Sequence, residues 1–295
     1  MNLLFGVDWK VGALIMLALL LGLYFSKDTY SKIEKGVMVC ILGMIVAFYA
    51  TLYASGGPDP QGFFQGIIHW GFPEGSVLSS LAFLSTHASI TAGIYGTYLG
   101  AEKKWKKQDL FNGTMLSDAC AHVLTVILIS GAIVTVGAIV LHPRGLQISS
   151  PVQMAGMPEP VLGSKARYVM GAALLGSAFS ALMGNTQRGV VLLNAGMDWE
   201  VSLESKRVRW SCVACLLLGV AVCFAYSGSP TQLIFLANLA TSIGTPTAGL
   251  FVTLMIWRKD VQAGLKPPRL LQIAMTVCYL FTTALTVYSF GSKFM

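Results

Sequence analysis

Charge is what this chain has least of. Asp, Glu, Lys and Arg make up 11% of its 295 residues, against about 25% in soluble globular domains. Only 13 acidic residues and four histidines are present, so dense acid/base or metal-ligand clusters are excluded. The six cysteines, Cys40, Cys120, Cys212, Cys215, Cys223 and Cys278, all fall in or beside apolar runs. Cys212-Val-Ala-Cys215 has the spacing of a redox or metal pair, but it lacks a companion pair and reads as packing or lipid-facing cysteine. No phosphate-binding glycine loop, zinc signature or nucleophile elbow occurs. No acid/base pair with a nucleophile converges on one stretch, so an enzyme is not expected and no cofactor is implied.

Apolar length is what the chain has in abundance. Hydrophobic residues reach 55% and mean hydropathy is +0.67. Eight apolar stretches run over 11–26, 37–54, 76–99, 119–141, 168–187, 210–226, 232–257 and 270–290. A helix needs about 20 mostly apolar residues to cross a hydrocarbon core of about 30 Å. The pattern predicts an all-α polytopic membrane protein with about eight transmembrane helices.

The basic residues alternate between loops. Lys27, Lys32 and Lys35 follow the first stretch; Lys103, Lys104, Lys106 and Lys107 follow the third. Lys206, Arg207 and Arg209 follow the fifth; Arg258, Lys259, Lys266 and Arg269 follow the seventh. The opposite side holds Lys10, Arg144, Lys165, Arg167 and Lys293, while Arg188 falls at a helix end. The positive-inside rule puts the richer side in the cytoplasm and both termini outside, with the chain in the plasma (inner) membrane. The net charge of +7 then needs anionic lipid rather than nucleic acid. Trp105, within Glu102-Lys-Lys-Trp-Lys-Lys107, reads as an interfacial anchor. Asn112-Gly-Thr114 matches a glycosylation pattern but lies on the cytoplasmic side.

Ionisable groups inside a span are costly, so the few present are functional candidates. His87 lies in Leu84-Ser-Thr-His-Ala-Ser89. Asp118 and His122 sit one turn apart, where they either pair or serve a helix start and a proton path. Asn185, Thr186, Gln187 and Arg188 close the fifth stretch. Asn238, Thr241, Ser242, Thr245 and Thr247 cluster in the seventh. Two places look like interrupted helices. Ser242-Ile-Gly-Thr-Pro-Thr-Ala-Gly249 holds Pro246 at mid-span, as a kink or as a break that frees carbonyls. Ser85-Thr86-His87 is the weaker break, because hydroxyls also bond back to their own helix. The small residues from Gly171 to Gly184 suit close helix packing.

In order and spacing these signals resemble the natural resistance-associated macrophage protein (Nramp) family of proton-coupled divalent-metal transporters, most closely its divergent bacterial branch. Leu3-Leu-Phe-Gly-Val-Asp8 resembles the segment before the family's fourth helix, and Tyr30-Ser-Lys-Ile-Glu34 the loop before its fifth. Phe72-Pro-Glu-Gly75 through Tyr98-Leu-Gly100 resembles its sixth, Ala181–Gln187 its eighth, and Ser242–Ala248 its tenth. The resemblance implies part of a broken-helix, inverted-repeat (LeuT-like) fold. The chain is then one membrane domain over 1–295, with 1–55 a remnant of the first repeat, 68–257 the second repeat of five helices, and 268–295 an extra helix.

The departures are as informative. The family's Asp-Pro-Gly-Asn motif is absent, and Asp59-Pro60 lies in an outer loop. The family's first three helices have no counterpart, so the chain is expected to begin partway through a longer membrane protein. The family's Ala-x-x-Met-Pro-His maps onto Ala82, Ser85, Thr86 and His87, which exchanges a thioether for a hydroxyl. The tenth-helix glutamine position is Gly244. Hydroxyl and carbonyl oxygens favour hard ions. The resemblance therefore implies proton-coupled transport of Mn2+ or Mg2+, in a partial or split form that needs helices from a second polypeptide. Ala82 and Ser85 would contribute oxygens to the metal. His87, Asp118 and His122 would relay protons, and Asn185, Asn238, Thr241, Gly244 and Thr245 would line the path. The alternatives are a non-transporting membrane scaffold that keeps the fold, or a transporter of an organic substrate.

Overall fold

The computed structural model describes residues 2–25, 29–69, 71, 76–87, 89–110, 112–145, 151–154, 157–227, 230–262 and 267–294. Lys27, Lys266 and the segment 72–75 lie outside them, as do the side chains of Lys32, Lys35, Cys40, Lys107, Arg144 and Lys293. Among the described residues all regular structure is helical. The main helices are α1 (Trp9–Tyr24), α2 (Thr29–Ala54), α3 (Pro60–Ile68), α4 (Val77–His87) and α5 (Ile90–Glu102). They continue with α6 (Thr114–Val136), α7 (Ala166–Gly196), α8 (Lys206–Ala225), α9 (Pro230–Trp257) and α10 (Arg269–Phe294).

Among the described residues, five helical stretches are long and apolar enough to cross a membrane: Thr114–Leu141, Gly163–Gly196, Lys206–Ala225, Thr231–Trp257 and Arg269–Ser289. Trp9–Tyr24 and Ile41–Ala54 are shorter apolar helices. The protein is an all-helical polytopic membrane protein. The 76–99 stretch is interrupted at its hydroxyl-rich segment, the weaker of the two expected breaks. It forms two helices, α4 of 11 residues and α5 of 13, which at about 1.5 Å per residue are each too short to span alone. By contrast α9 runs unbroken through Pro246. Of the two expected interruptions, the proline gives a helix-internal position and the hydroxyl-rich segment gives the helix end.

The termini of these helices are built locally. Asp8 caps α1 by accepting from the Lys10 N–H at 2.8 Å. Asp59 caps α3, accepting from the Gln61 and Gly62 N–H groups, with Pro60 at the first helical position. Asp59-Pro60 is thus a helix start and no copy of the family's ligand motif. Past α6, Gly137–Leu141 widens into one π turn, closed by the His142 N–H on the Gly137 carbonyl. That widening precedes Pro143, whose ring clashes with an ideal α-helical turn.

The chain groups into two compact units that interleave along the sequence. The first holds residues 1–69 and 99–227; the second holds 70–98 and 228–295. In the first unit α2 packs against α6 and α7, around Met44, Phe48, Ala132, Val136, Met170 and Ala173. Small residues at Ala132 and Ala173 let the helices approach. A second cluster joins α1, α7 and α8 through Leu20, Leu23, Phe179, Met183 and Leu216. Phe48 is 1% exposed. Phe48→Ala is expected to cost about 3 kcal/mol, the lower end for such truncations, because lipid removes part of the transfer term. Thermal melting in detergent checks this.

In the second unit α9 packs against α4 and α10, and α4 against α10. Gly249 of α9 makes the contact possible. A Cβ built there would lie 2.6 Å from Ile90 Cδ1 and 2.8 Å from Tyr279 Cδ2. At the α9–α10 loop, Arg258 pairs with Asp260 and holds its carboxyl below the usual carboxylate range. Arg258→Gln is expected to raise the Asp260 pKa toward its ordinary value, as a carboxyl-carbon NMR titration would read.

Candidate functional site

The last turn of α4 ends in three side chains that turn back onto it. The Ser85 and Thr86 hydroxyls reach the Ala82 carbonyl at 3.0 and 2.9 Å. His87 Nδ1 lies 2.8 Å from the Phe83 carbonyl. A carbonyl only accepts, so Nδ1 carries the hydrogen of this contact. The ring also tilts against Phe83, with centroids 4.2 Å apart. These are bonds back onto carbonyls one turn earlier in the same helix, which hydroxyls make within helices as well as at their ends. α5 then starts after Ser89, whose hydroxyl is 2.8 Å from that of Thr91.

Ser85 also fixes α4 to α9. Its Oγ lies 2.9 Å from the Asn238 carbonyl, which accepts from the Thr241 hydroxyl at 2.7 Å as well. Ser242 donates to Leu239 O at 2.6 Å, and Thr245 to Thr241 O at 3.1 Å. Pro246 lacks an N–H, so the Ser242 carbonyl receives no bond from the following turn. Between α4, α9 and α10 lies a cavity of about 10 Å³ lined by Ser85, Ser242, Thr245, Thr282, Thr286, Leu81 and Leu84, the room of one water. Each lining hydroxyl donates to a backbone carbonyl. What the oxygens leave for the cavity is lone pairs, so its wall accepts rather than donates.

Of the candidate residues, Ala82, Ser85, Asn238, Thr241 and Thr245 gather at this junction. Gly244 is exposed on the same helix, and a Cβ there meets nothing within 4 Å. His87 is exposed at the end of α4. Asp118, His122 and Asn185 belong to the first unit and are exposed. Asp118 pairs with Lys103 at 3.4 Å rather than with His122, an exposed contact worth little. Lys103 lies 4.8 Å from the Trp105 ring centroid, and Trp105 folds back on Gly100, where a Cβ would sit 3.1 Å from the ring. Sequence reasoning missed Thr282 and Thr286, although their spacing of four places both on one face of α10.

The gathered groups are neutral oxygens. Among the described residues no group of three His, Cys, Asp or Glu stands close enough to hold a metal ion. Mg2+ takes six oxygens in near-octahedral geometry and Ca2+ six to eight. The oxygens gathered at the junction are too few to complete either sphere.

No curated protein sequence matches the chain. The family model described as natural resistance-associated macrophage protein-like (Nramp) matches residues 1–292, which takes in both compact units and the α4 and α9 segments that meet at Ser85 and Asn238. The chain belongs to the Nramp family, a family of divalent-metal transporters.

Proposed function

We propose that this protein carries out proton-coupled transport of a hard divalent cation, Mn2+ or Mg2+, along the oxygen-lined junction of α4 and α9. The observation that carries the reading is Ser85. It occupies the family's thioether position, and its oxygen stands with the Ala82 and Asn238 carbonyls. Ala82 and Ser85 contact the ion, Asn238, Thr241, Gly244 and Thr245 border its path, and His87 exchanges the proton through Nε2. Neutral oxygens alone bind a divalent ion weakly, so the remaining ligands come from helices outside this sequence, carried by a second polypeptide or by more of the same one.

Ser85→Met tests the selectivity directly. Restoring the thioether is expected to raise Cd2+ uptake at least about tenfold over the unaltered protein while Mn2+ uptake falls, the direction set by ligand softness. Gly244→Gln, which meets no steric obstacle, is expected to strengthen the effect. Unchanged Cd2+ uptake in both variants would remove Ser85 from the coordination sphere.

One observation favours a second reading, a membrane scaffold that keeps the fold without transport: the absence of a charged ligand cluster among the described residues. A partner with a soluble catalytic domain, co-isolated with the chain, would support the scaffold. A partner of about three apolar spans would support the split transporter.

A further inference from the structure

The first unit contains a cavity of about 370 Å³ that the transport reading does not use. That volume lies in the range of about 300–1,000 Å³ typical of ligand pockets. Leu23, Met183 and Val208 form an apolar wall, and Glu102, Glu204 and Arg209 line the rest. None of these three charged residues forms an ion pair with another described residue. Glu102 is held in place by the Leu203 N–H, which donates to its carboxylate at 2.9 Å.

The cavity sits where helices end. α1 stops at Tyr24 and α8 starts at Lys206, both lining or flanking it, on the side that carries the basic loops. Aromatic rings mark the same level. Trp210 meets Phe25 edge-on with centroids 5.7 Å apart, and the Arg207 guanidinium lies 3.8 Å from the Trp199 ring centroid. Such rings favour headgroup depth in a bilayer. Two carboxylates and one guanidinium over an apolar wall call for a ligand with both signs of charge and a hydrocarbon tail.

We infer that this cavity binds an aminophospholipid, one whose headgroup joins a primary ammonium to a phosphate. The ammonium has three hydrogens to donate to Glu102 and Glu204. The phosphate takes the two-pronged guanidinium of Arg209, beside the N-terminal turn of α8 with its positive dipole end. The acyl chains start along Leu23, Met183 and Val208. A trimethylated ammonium has no hydrogen to donate, and an uncharged glycerol headgroup leaves both carboxylates without a cation. The inference does not depend on transport, and its test reads binding alone.

Native mass spectrometry of the full chain in detergent decides it, with phosphatidylethanolamine, phosphatidylcholine and phosphatidylglycerol of matched chains titrated separately. Phosphatidylethanolamine is expected to be retained about tenfold more tightly than the other two, the scale of one charge-assisted hydrogen bond. Arg209→Gln and Glu204→Gln are each expected to lower that retention by a similar factor and to leave phosphatidylcholine retention unchanged. Glu102→Gln keeps an acceptor for Leu203 and gives a third variant with an intact loop. Equal retention of the three lipids by the unaltered chain overturns the inference, whatever the variants do. Displacement of phosphatidylethanolamine by an equal concentration of soluble phosphoethanolamine overturns a lipid as the occupant.

Discussion

Gly249→Leu is expected to destabilise the second unit strongly. The position is buried, and even one added carbon would approach Ile90 and Tyr279 within 2.6 and 2.8 Å. Ile90 Cδ1 is the flexible end of its side chain, but the Tyr279 atoms are ring carbons, so a single methyl already moves the ring, and Gly249→Ala is expected to cost about 2 kcal/mol. A leucine adds three further carbons where α9 meets α10, and the pair must then separate or Tyr279 must leave its rotamer. Overpacking of that size costs about 3 kcal/mol or more. The checking measurement is thermal melting of the purified protein in detergent. A loss of about 10 °C or failure to yield monodisperse protein is expected for leucine. A melting temperature within about 2 °C of the unaltered protein would mean that the helices do not approach as closely as Gly249 allows.

Ser85→Ala is expected to separate stability from function. The hydroxyl ties α4 to α9 through the Asn238 carbonyl. Hydrogen bonds between membrane helices are worth about 0.6 kcal/mol on average, because the separated helices also find partners. The Asn238 carbonyl keeps the Thr241 hydroxyl as a donor after the change, so no orphaned acceptor adds to the cost. The melting temperature should therefore move by only a few degrees. Cation uptake should fall at least about tenfold, since one oxygen of the coordination sphere is gone. A stability loss with unchanged uptake would make Ser85 a structural tie between helices. An uptake loss with near-native melting would make it a ligand.

Much of the architecture was legible in the residues because hydropathy is a one-dimensional signal. The long stretches 119–141, 168–187, 210–226, 232–257 and 270–290 each fall within a helix of spanning length or its extension. The 76–99 stretch was harder. Its apolar content is continuous, and only the polar cluster Ser85, Thr86 and His87 marked the place where α4 ends. Pro246 left a kink and a break both open, and α9 runs through it without a break. A missing N–H costs one bond, and a surrounding of hydroxyls and packed neighbours absorbs that loss. At the junction itself, Ser85, Asn238, Thr241 and Thr245 stood out because polar groups are rare in spans. Thr282 and Thr286 did not, because a threonine that bonds its own helix is unremarkable until a third helix brings it to the cavity wall. The Asp118–His122 pairing failed for a similar reason, since sequence spacing places the two side chains within reach but says nothing of Lys103.

In the proposed mechanism, cations pass by Ser85 and His87 takes part in proton exchange. The most direct measurement is Mn2+ uptake into proteoliposomes made from the full chain together with whatever subunits co-purify from its own membrane, under an inward proton gradient. The account predicts uptake that depends on the gradient, falls at least about tenfold in Ser85→Ala, and loses its coupling to protons in His87→Ala. Gradient-independent uptake, or uptake unchanged in both variants, would contradict it, and no uptake from the intact assembly would leave the scaffold as the better account.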